Sequence, residues 1–423
     1  MAKGWKSGNS IHIIVFSSGN RHDVPGITKT KIYTQGKMKM KNIDLKLKEF
    51  EFSEKSEKHH DWSIEKFSLG EFNVLLSDNA QGKTRMFNTL RFLKDIHTIG
   101  RNFNNPSYKA KATLWFESGE DKIFYNLAFA GEPKGDGLVF NEIVKRNEIV
   151  LFDRSKKILI DETNNEQVSK FFLPSNAPVA LAVKDKEYIT INLIQDFFSR
   201  MLFLEANRFV ADNLSFDKAA MTLDTKGQNT SCVLNNWKEK KPLLYNEVIE
   251  VFRDCFPFIK GISIEEKAFV PGMPDSPIMY MKEKDIAKEI IQTAWSDGML
   301  RALSHFAIAS TQFQSETDVI IRPSFIGVDE VENGLDFNAL AKVIEHYESY
   351  SSLIQIVIAT HSPLVCNMVG ADNWLIMKRK GVKVKVFSPS NVENLETERR
   401  KIKKDNWEFY RRHIAKSKLY RIK

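Results

Sequence analysis

The stretch Phe325-Ile326-Gly327-Val328-Asp329-Glu330-Val331-Glu332-Asn333-Gly334-Leu335-Asp336 decides the reading of this chain. It begins as a short apolar strand and ends that strand on two consecutive carboxylates. In that position the first carboxylate, Asp329, would hold a divalent metal, largely through water. The second, Glu330, would polarise an attacking water as general base. A buried strand with an acidic end is the plainer explanation. It loses because Val331 to Asp336 carries the pattern into a turn and then a helix over residues 338–350.

Working outward, Ile356-Val357-Ile358-Ala359-Thr360-His361-Ser362-Pro363 is another apolar strand running into a polar cap. With the helix between them, the two strands close a βαβ unit and are expected to be parallel neighbours. His361 at that strand end can reach a γ-phosphate and its attacking water. Upstream, Trp295-Ser296-Asp297-Gly298-Met299-Leu300-Arg301 opens a helix that runs through Ser310. A Ser and a Gly at a helix N-terminus make an anion site. That helix end meets no phosphate in its own subunit and makes sense against the γ-phosphate of a second copy. Farther upstream, Ser77-Asp78-Asn79-Ala80-Gln81-Gly82-Lys83-Thr84 lies between a strand at 72–77 and a helix at 83–96. A phosphate-binding loop needs backbone N–H groups, a lysine on the β/γ oxygens and a hydroxyl on the metal. Gly82, Lys83 and Thr84 supply these, while Ser77 and Ala80 stand where glycines are usual.

The remaining pattern supplies the frame. Leu45, Leu47, Phe50 and Phe52 read as an edge strand of a half-buried sheet. Segments 112–117, 122–128, 138–143, 149–152 and 158–160, separated by short polar turns, read as an antiparallel meander. Residues 188–256 read as mainly helical. Leu193, Phe197, Phe198, Met201 and Leu204 share one face there, and Tyr245, Val248, Val251 and Phe252 another. Residues 1–40 read as a connecting arm with one strand at 11–16.

Bulk properties narrow the class. The 423 residues are 42% hydrophobic and 27% charged, ordinary for a soluble globular protein. No apolar run approaches the roughly 18 residues of a membrane span, so the cytoplasm is the expected compartment. Cys232, Cys255 and Cys366 show no disulfide or zinc spacing, and His59–His60 reads as a surface loop. The net charge of +8 is concentrated in residues 399–423, where eleven Lys or Arg face Asp405 and Glu408. Such a block attracts phosphates or an acidic partner, or is simply a solvated helix or tail.

Taken together and in this order, the four motifs resemble those of the ABC-type AAA ATPases, over about residues 42–380. That group includes the RecF, SMC and OLD-nuclease heads and many bacterial anti-phage defence ATPases. The resemblance implies an α/β fold: an ABC-type P-loop NTPase head with an antiparallel β subdomain and an inserted helical lid. It implies ATP and Mg²⁺ as ligands. Asn79, Gly82, Lys83, Thr84, Ser296, Gly298 and Asp336 would bind ATP, Thr84 and Asp329 the metal, with Glu330 and His361 catalytic. Ser296 and Gly298 would complete the site of a partner copy in a head-to-tail dimer or larger oligomer, and residues 333–336 would cross that interface. Trp295 departs from the family's usual Leu. The expected layout is an arm at 1–40 and an ATP-binding core with the meander at 41–185. A helical insertion follows at 186–290, then the rest of the ATPase core at 291–390 and a basic segment at 391–423.

No long coiled-coil arm, Toprim nuclease or other nuclease constellation is visible between or after the motifs. The expected function is therefore an ATP-hydrolysing engine that regulates a separate effector, a nuclease or toxin, in anti-phage defence, as in the Septu and PARIS systems it resembles. The alternative is a RecF-like clamp in DNA repair or maintenance, with DNA as the partner of residues 399–423.

Overall fold

The computed structural model describes residues 45–55, 61–78, 80–100, 108–131, 138–205, 218–268, 271–272, 274–313 and 321–388. The N-terminal arm, its strand at 11–16, His59–His60, Asn79 and the basic segment 391–423 lie outside them. In chain order the elements begin with β1 (Lys46–Lys55), β2 (Trp62–Ser68), β3 (Phe72–Leu76) and α1 (Lys83–Thr98). The meander follows as β4 (Lys109–Ser118), β5 (Asp121–Gly131), β6 (Leu138–Arg146), β7 (Ile149–Asp153), β8 (Ile158–Asp161) and β9 (Glu166–Gln167). Then come α2 (Val179–Ala182), α3 (Ile189–Ser199), β10 (Met201–Leu204), α4 (Thr230–Lys240), α5 (Pro242–Cys255), β11 (Ile259–Ala268), β12 (Asp275–Glu283) and β13 (Ile290–Ile291). The last described elements are α6 (Asp297–Ser310), β14 (Phe325–Val328), α7 (Phe337–Tyr350), β15 (Gln355–Thr360), α8 (Pro363–Met368), β16 (Trp374–Lys380) and β17 (Lys383–Phe387).

Five strands run parallel in the order β10-β14-β15-β3-β16. The first four are buried at every residue. Strands covered on both faces must be apolar throughout, which is why these segments show no alternation. One core joins α1, α2 and α3 to one face, and a second joins α4 to α8 to the other. The sheet then continues through β17 and β2 into the antiparallel run β1-β4-β5-β6-β7-β8-β9, completing fourteen strands among the described residues. Here one face is packed and the other open, and burial alternates along β5 and β6 as it must. The fold is thus the mixed α/β class expected, with the antiparallel run as the β subdomain.

Two expectations are corrected. β1 is a strand, with Leu47, Phe50 and Phe52 buried, but it is no edge: it pairs with β2 on one side and β4 on the other. The stretch 186–290 is not a purely helical insertion. Met201 to Leu204 leaves the helical stripe of α3 to form β10, paired in parallel with β14, and residues 259–291 build a three-stranded sheet, β11-β12-β13. A four-residue apolar run carries no period of its own, so tertiary pairing decides its state.

Two local devices fix α1, the helix that follows the phosphate loop. At its start, Gly327 in β14 lets the rings of Phe203 and Phe87 close over the strand; a Cβ there would lie 2.7 Å from Phe203 and 3.0 Å from Phe87. At its end, His97 is fully buried. Its Nδ1 lies 2.6 Å from the Leu93 carbonyl and its Nε2 2.9 Å from the Tyr125 hydroxyl. Tyr125 donates to Glu142 at 2.6 Å, and Glu142 also accepts from Arg154 at 2.7 Å and from the Val179 N–H at 2.9 Å. Gly327→Ala should therefore destabilise the fold by about 1–3 kcal/mol through overpacking. An unchanged midpoint in denaturant unfolding would show that the two rings yield freely.

Candidate active site

The parallel register brings the C-terminal ends of β3, β14 and β15 side by side, where an α/β sheet opens its crevice. From β3 the chain turns into the phosphate loop. Gly82, the residue capping α1, has φ 112° and offers no side-chain cap. The first N–H groups of a helix have no intrahelical partner and can receive an anion. Ala80 sits at φ 62°, the left-handed region a glycine would occupy without strain. Ser77, the other replaced glycine, is buried, and its Oγ accepts from Lys83 Nζ at 2.7 Å. Lys83 also donates to the Ser77 carbonyl at 3.0 Å and to His361 Nδ1 at 3.1 Å. Burial pushes its ammonium down to about 8, against the attraction of Asp329, Glu332 and Glu330.

Thr84 donates its hydroxyl to Asp329 Oδ2 at 2.7 Å. The other carboxylate oxygen, Oδ1, is buried without a hydrogen-bond partner. A buried, orphaned carboxylate oxygen beside a hydroxyl is a hard-oxygen donor set, and it fits Mg²⁺. The next residue, Glu330, adopts φ 47°, a conformation that costs a non-glycine residue about 1–2 kcal/mol. The turn continues because Val331 donates its N–H to Ala359 of β15.

Glu332, to which sequence reading assigned no role, holds the two strand ends together. Its carboxylate accepts from Thr360 Oγ1 at 2.7 Å and from the His361 N–H at 2.8 Å. His361 is thereby aimed at Lys83. Because Nδ1 accepts from the ammonium, the imidazole proton is on Nε2, free to serve as donor.

Ser296 caps α6, accepting from the Met299 N–H at 3.2 Å. Trp295 fills the core before it, stacking on Phe252 and donating its indole N–H to the Ile290 carbonyl. Gly298 packs under Gly334, whose carbonyl oxygen would lie 2.4 Å from a Cβ at 298. Gly334 itself has φ 75° and rests on Arg301. Arg301, also unassigned from sequence, is held by the Glu205 carbonyl, and burial lowers its pKa against the attraction of Asp297 and Glu330. Asp336 caps α7, accepting from the N–H groups of Asn338 and Ala339 at 2.8 and 2.9 Å. So Gly82, Lys83, Thr84, Asp329, Glu330 and His361 form one cluster. Ser296, Gly298 and Asp336 lie along α6 and the turn into α7, and Asn79 falls outside the described residues.

Residues 72–367 match the family model described as "AAA domain, putative AbiEii toxin, Type IV TA system", and the chain belongs to that family. No curated protein matches the chain. Among solved structures, an SMC head bound to the C-terminal winged-helix domain of ScpA aligns with 81% of this chain and 97% of its own, at 12% identity and a TM-score of 0.48. An Smc head with an extended coiled coil, bound to the C-terminal domain of ScpA and derived from Pyrococcus furiosus, aligns with 84% and 100%, at 12% identity and 0.45. The SMC head domain of Thermotoga maritima aligns with 81% and 98%, at 11% identity and 0.39.

Two outcomes follow from the site's electrostatics and backbone. Burial holds the Lys83 ammonium at about 8, and a polyphosphate beside it would favour the charged form. Affinity for ATP should then fall as pH rises from 8 toward 10.5, by up to about tenfold per unit. Calorimetry at pH 9 in buffers of different ionisation heat should register proton uptake that Lys83→Met abolishes; equal heats in all buffers would refute it. Ala80→Gly relieves the left-handed strain and should stabilise the protein by up to about 1 kcal/mol without loss of nucleotide affinity, as thermal melting with and without ATP will report.

Proposed function

We propose that this member of the AAA-domain family binds ATP with Mg²⁺ and hydrolyses it between two paired copies. The observation that supports this reading best is the convergence of Lys83, Thr84, Asp329, Glu330 and His361 on one crevice, with a buried Asp329 oxygen left over for a metal. The loop backbone and Lys83 grip the β- and γ-phosphates, and the Ser77 and His361 contacts of Lys83 give way to phosphate oxygens. Mg²⁺ held by Thr84 and Asp329 would neutralise charge on those oxygens. Glu330 takes a proton from the attacking water, and His361 donates from Nε2 to the γ-phosphate. The strained backbone of Glu330 aims that carboxylate, in keeping with strain held at reaction centres.

The second half of the site comes from the partner. Ser296 and Gly298 open a fourteen-residue helix at an exposed end, and Phe337, beside Asp336, is 59% exposed. A second copy covers that ring and places its own Ser296 and Gly298 on the γ-phosphate. Closure of the pair on ATP and reopening after hydrolysis then regulate a separate effector, a nuclease or toxin, in anti-phage defence of the Septu or PARIS kind. The toxin–antitoxin wording of the family's description is in keeping with that role.

Glu330→Gln should lower phosphate release by about 10²–10⁴-fold while leaving ATP bound. The pairing has its own test. Lys83→Met and Ser296→Arg should each be inactive alone, yet their mixture should regain part of the activity, because a mixed pair contains one intact composite site. Continued inactivity of the mixture, with both variants folded, would refute shared sites.

A further inference from the structure

The hairpin β16–β17 pairs Lys378 with Lys385 and Lys380 with Lys383 across the ladder. Side chains directly opposite one another share a face, and like charges in such pairs are destabilising. The same arrangement recurs four strands into the same sheet, where Lys55 of β1 stands opposite Lys109 of β4, with Lys111 two residues on. All these lysines point away from α1: their neighbours Val384, Phe52, Ala110 and Ala112 belong to the core that α1 covers. Apart from half-buried Lys378 they are exposed, so the two groups lie on one sheet face that no described helix covers.

The far end of that face is built in the ordinary way. There Lys48 pairs with Glu117, Lys66 with Glu49, and Glu117 stands opposite Lys122. At the phosphate-loop end, Lys385 pairs with Glu65 and Lys378 feels Asp78. No ion pair among the described residues holds Lys55, Lys109, Lys111, Lys380 or Lys383. The aromatic rings on this face, Trp115 and Phe124, pack on each other and lie under Lys66 and Lys145. Stacking of unpaired bases is therefore not what the surface offers.

We propose that this face is a docking surface for duplex DNA, gripped through its phosphates. β17 and β4 are three ladder steps apart, about 14 Å at the usual strand spacing of ~4.8 Å. That is close to the ~12 Å width of the major groove, so the two lysine groups can each follow one of the phosphate backbones that border it. A polyanion relieves the repulsion between opposed lysines, which explains why the sheet carries them in pairs. The proposal does not depend on the ATPase reading, and its test needs no nucleotide.

Binding of a labelled 30-base-pair DNA duplex by the full chain, read by fluorescence anisotropy across a salt series, decides it. The wild type should bind, with affinity falling steeply as salt rises. K380Q/K383Q should weaken binding by about tenfold or more and flatten the salt slope by roughly 2. K383E should weaken it further while raising the melting temperature, because it sets a carboxylate opposite Lys380; a residue with only a structural role would not separate the two readouts in this direction. K122E, at the far end of the face, should bind like the wild type. The proposal is overturned if the wild type does not bind duplex at about 50 mM salt, or if K380Q/K383Q binds as the wild type does. It is equally overturned if K122E loses as much affinity as the patch variants, or if removal of residues 399–423 accounts for all binding.

Discussion

The carboxylate of Asp329 governs the architecture of the crevice. It is 9% exposed, one oxygen is taken by Thr84, and it attracts the buried ammonium of Lys83. A buried charge is tolerable only with partners, and every element around it supplies or positions one. β14 ends just before it at the mouth of the crevice, α1 starts beside it, and β15 delivers His361 to Lys83. The Gly327 contact with Phe203 and Phe87 serves this arrangement too, because it sets how closely α1 approaches β14. The phosphate loop, weak in glycine, works within a position already determined by its neighbours.

Much of this was legible in the residues, and for a consistent reason. Segments with a long period or a capping residue were placed closely: α6 begins after Ser296, α7 after Asp336, and the meander strands fall where their turns require. Four consecutive apolar residues, Met201 to Leu204, were not, since they extend a helical stripe as well as they make a strand. Glu332 lay in plain view within the acidic stretch, yet its role depends on Thr360 and His361, brought beside it only by the sheet. Arg301 closes the motif that begins at Ser296, but its seat beneath Gly334 exists only once the turn before α7 has folded onto α6. The replaced glycines taught the opposite lesson. Ala80 keeps the left-handed backbone in spite of its side chain, and Ser77 gains a hydroxyl that holds Lys83.

The contact between Gly298 and Gly334 makes the start of α6 and the turn before α7 one unit. With no room for a Cβ between them, neither can shift without the other. Glu332 extends the same rigidity to β15. Ser296 and His361 are thus joined through packed backbone and one carboxylate.

The buried chain from His97 to Glu142 carries an inventory of protons. The Leu93 carbonyl can only accept, so His97 must donate from Nδ1. Tyr125 owns one proton and has two close partners, His97 Nε2 and Glu142. That proton goes to Glu142, whose carboxylate also receives Arg154 and the Val179 N–H. Burial pushes His97 down to about 4 and Glu142 upward, so the imidazole stays neutral and the carboxylate depends on the donors gathered round it. The last turn of α1 is thereby tied to the meander through a single phenol set between an imidazole and a carboxylate.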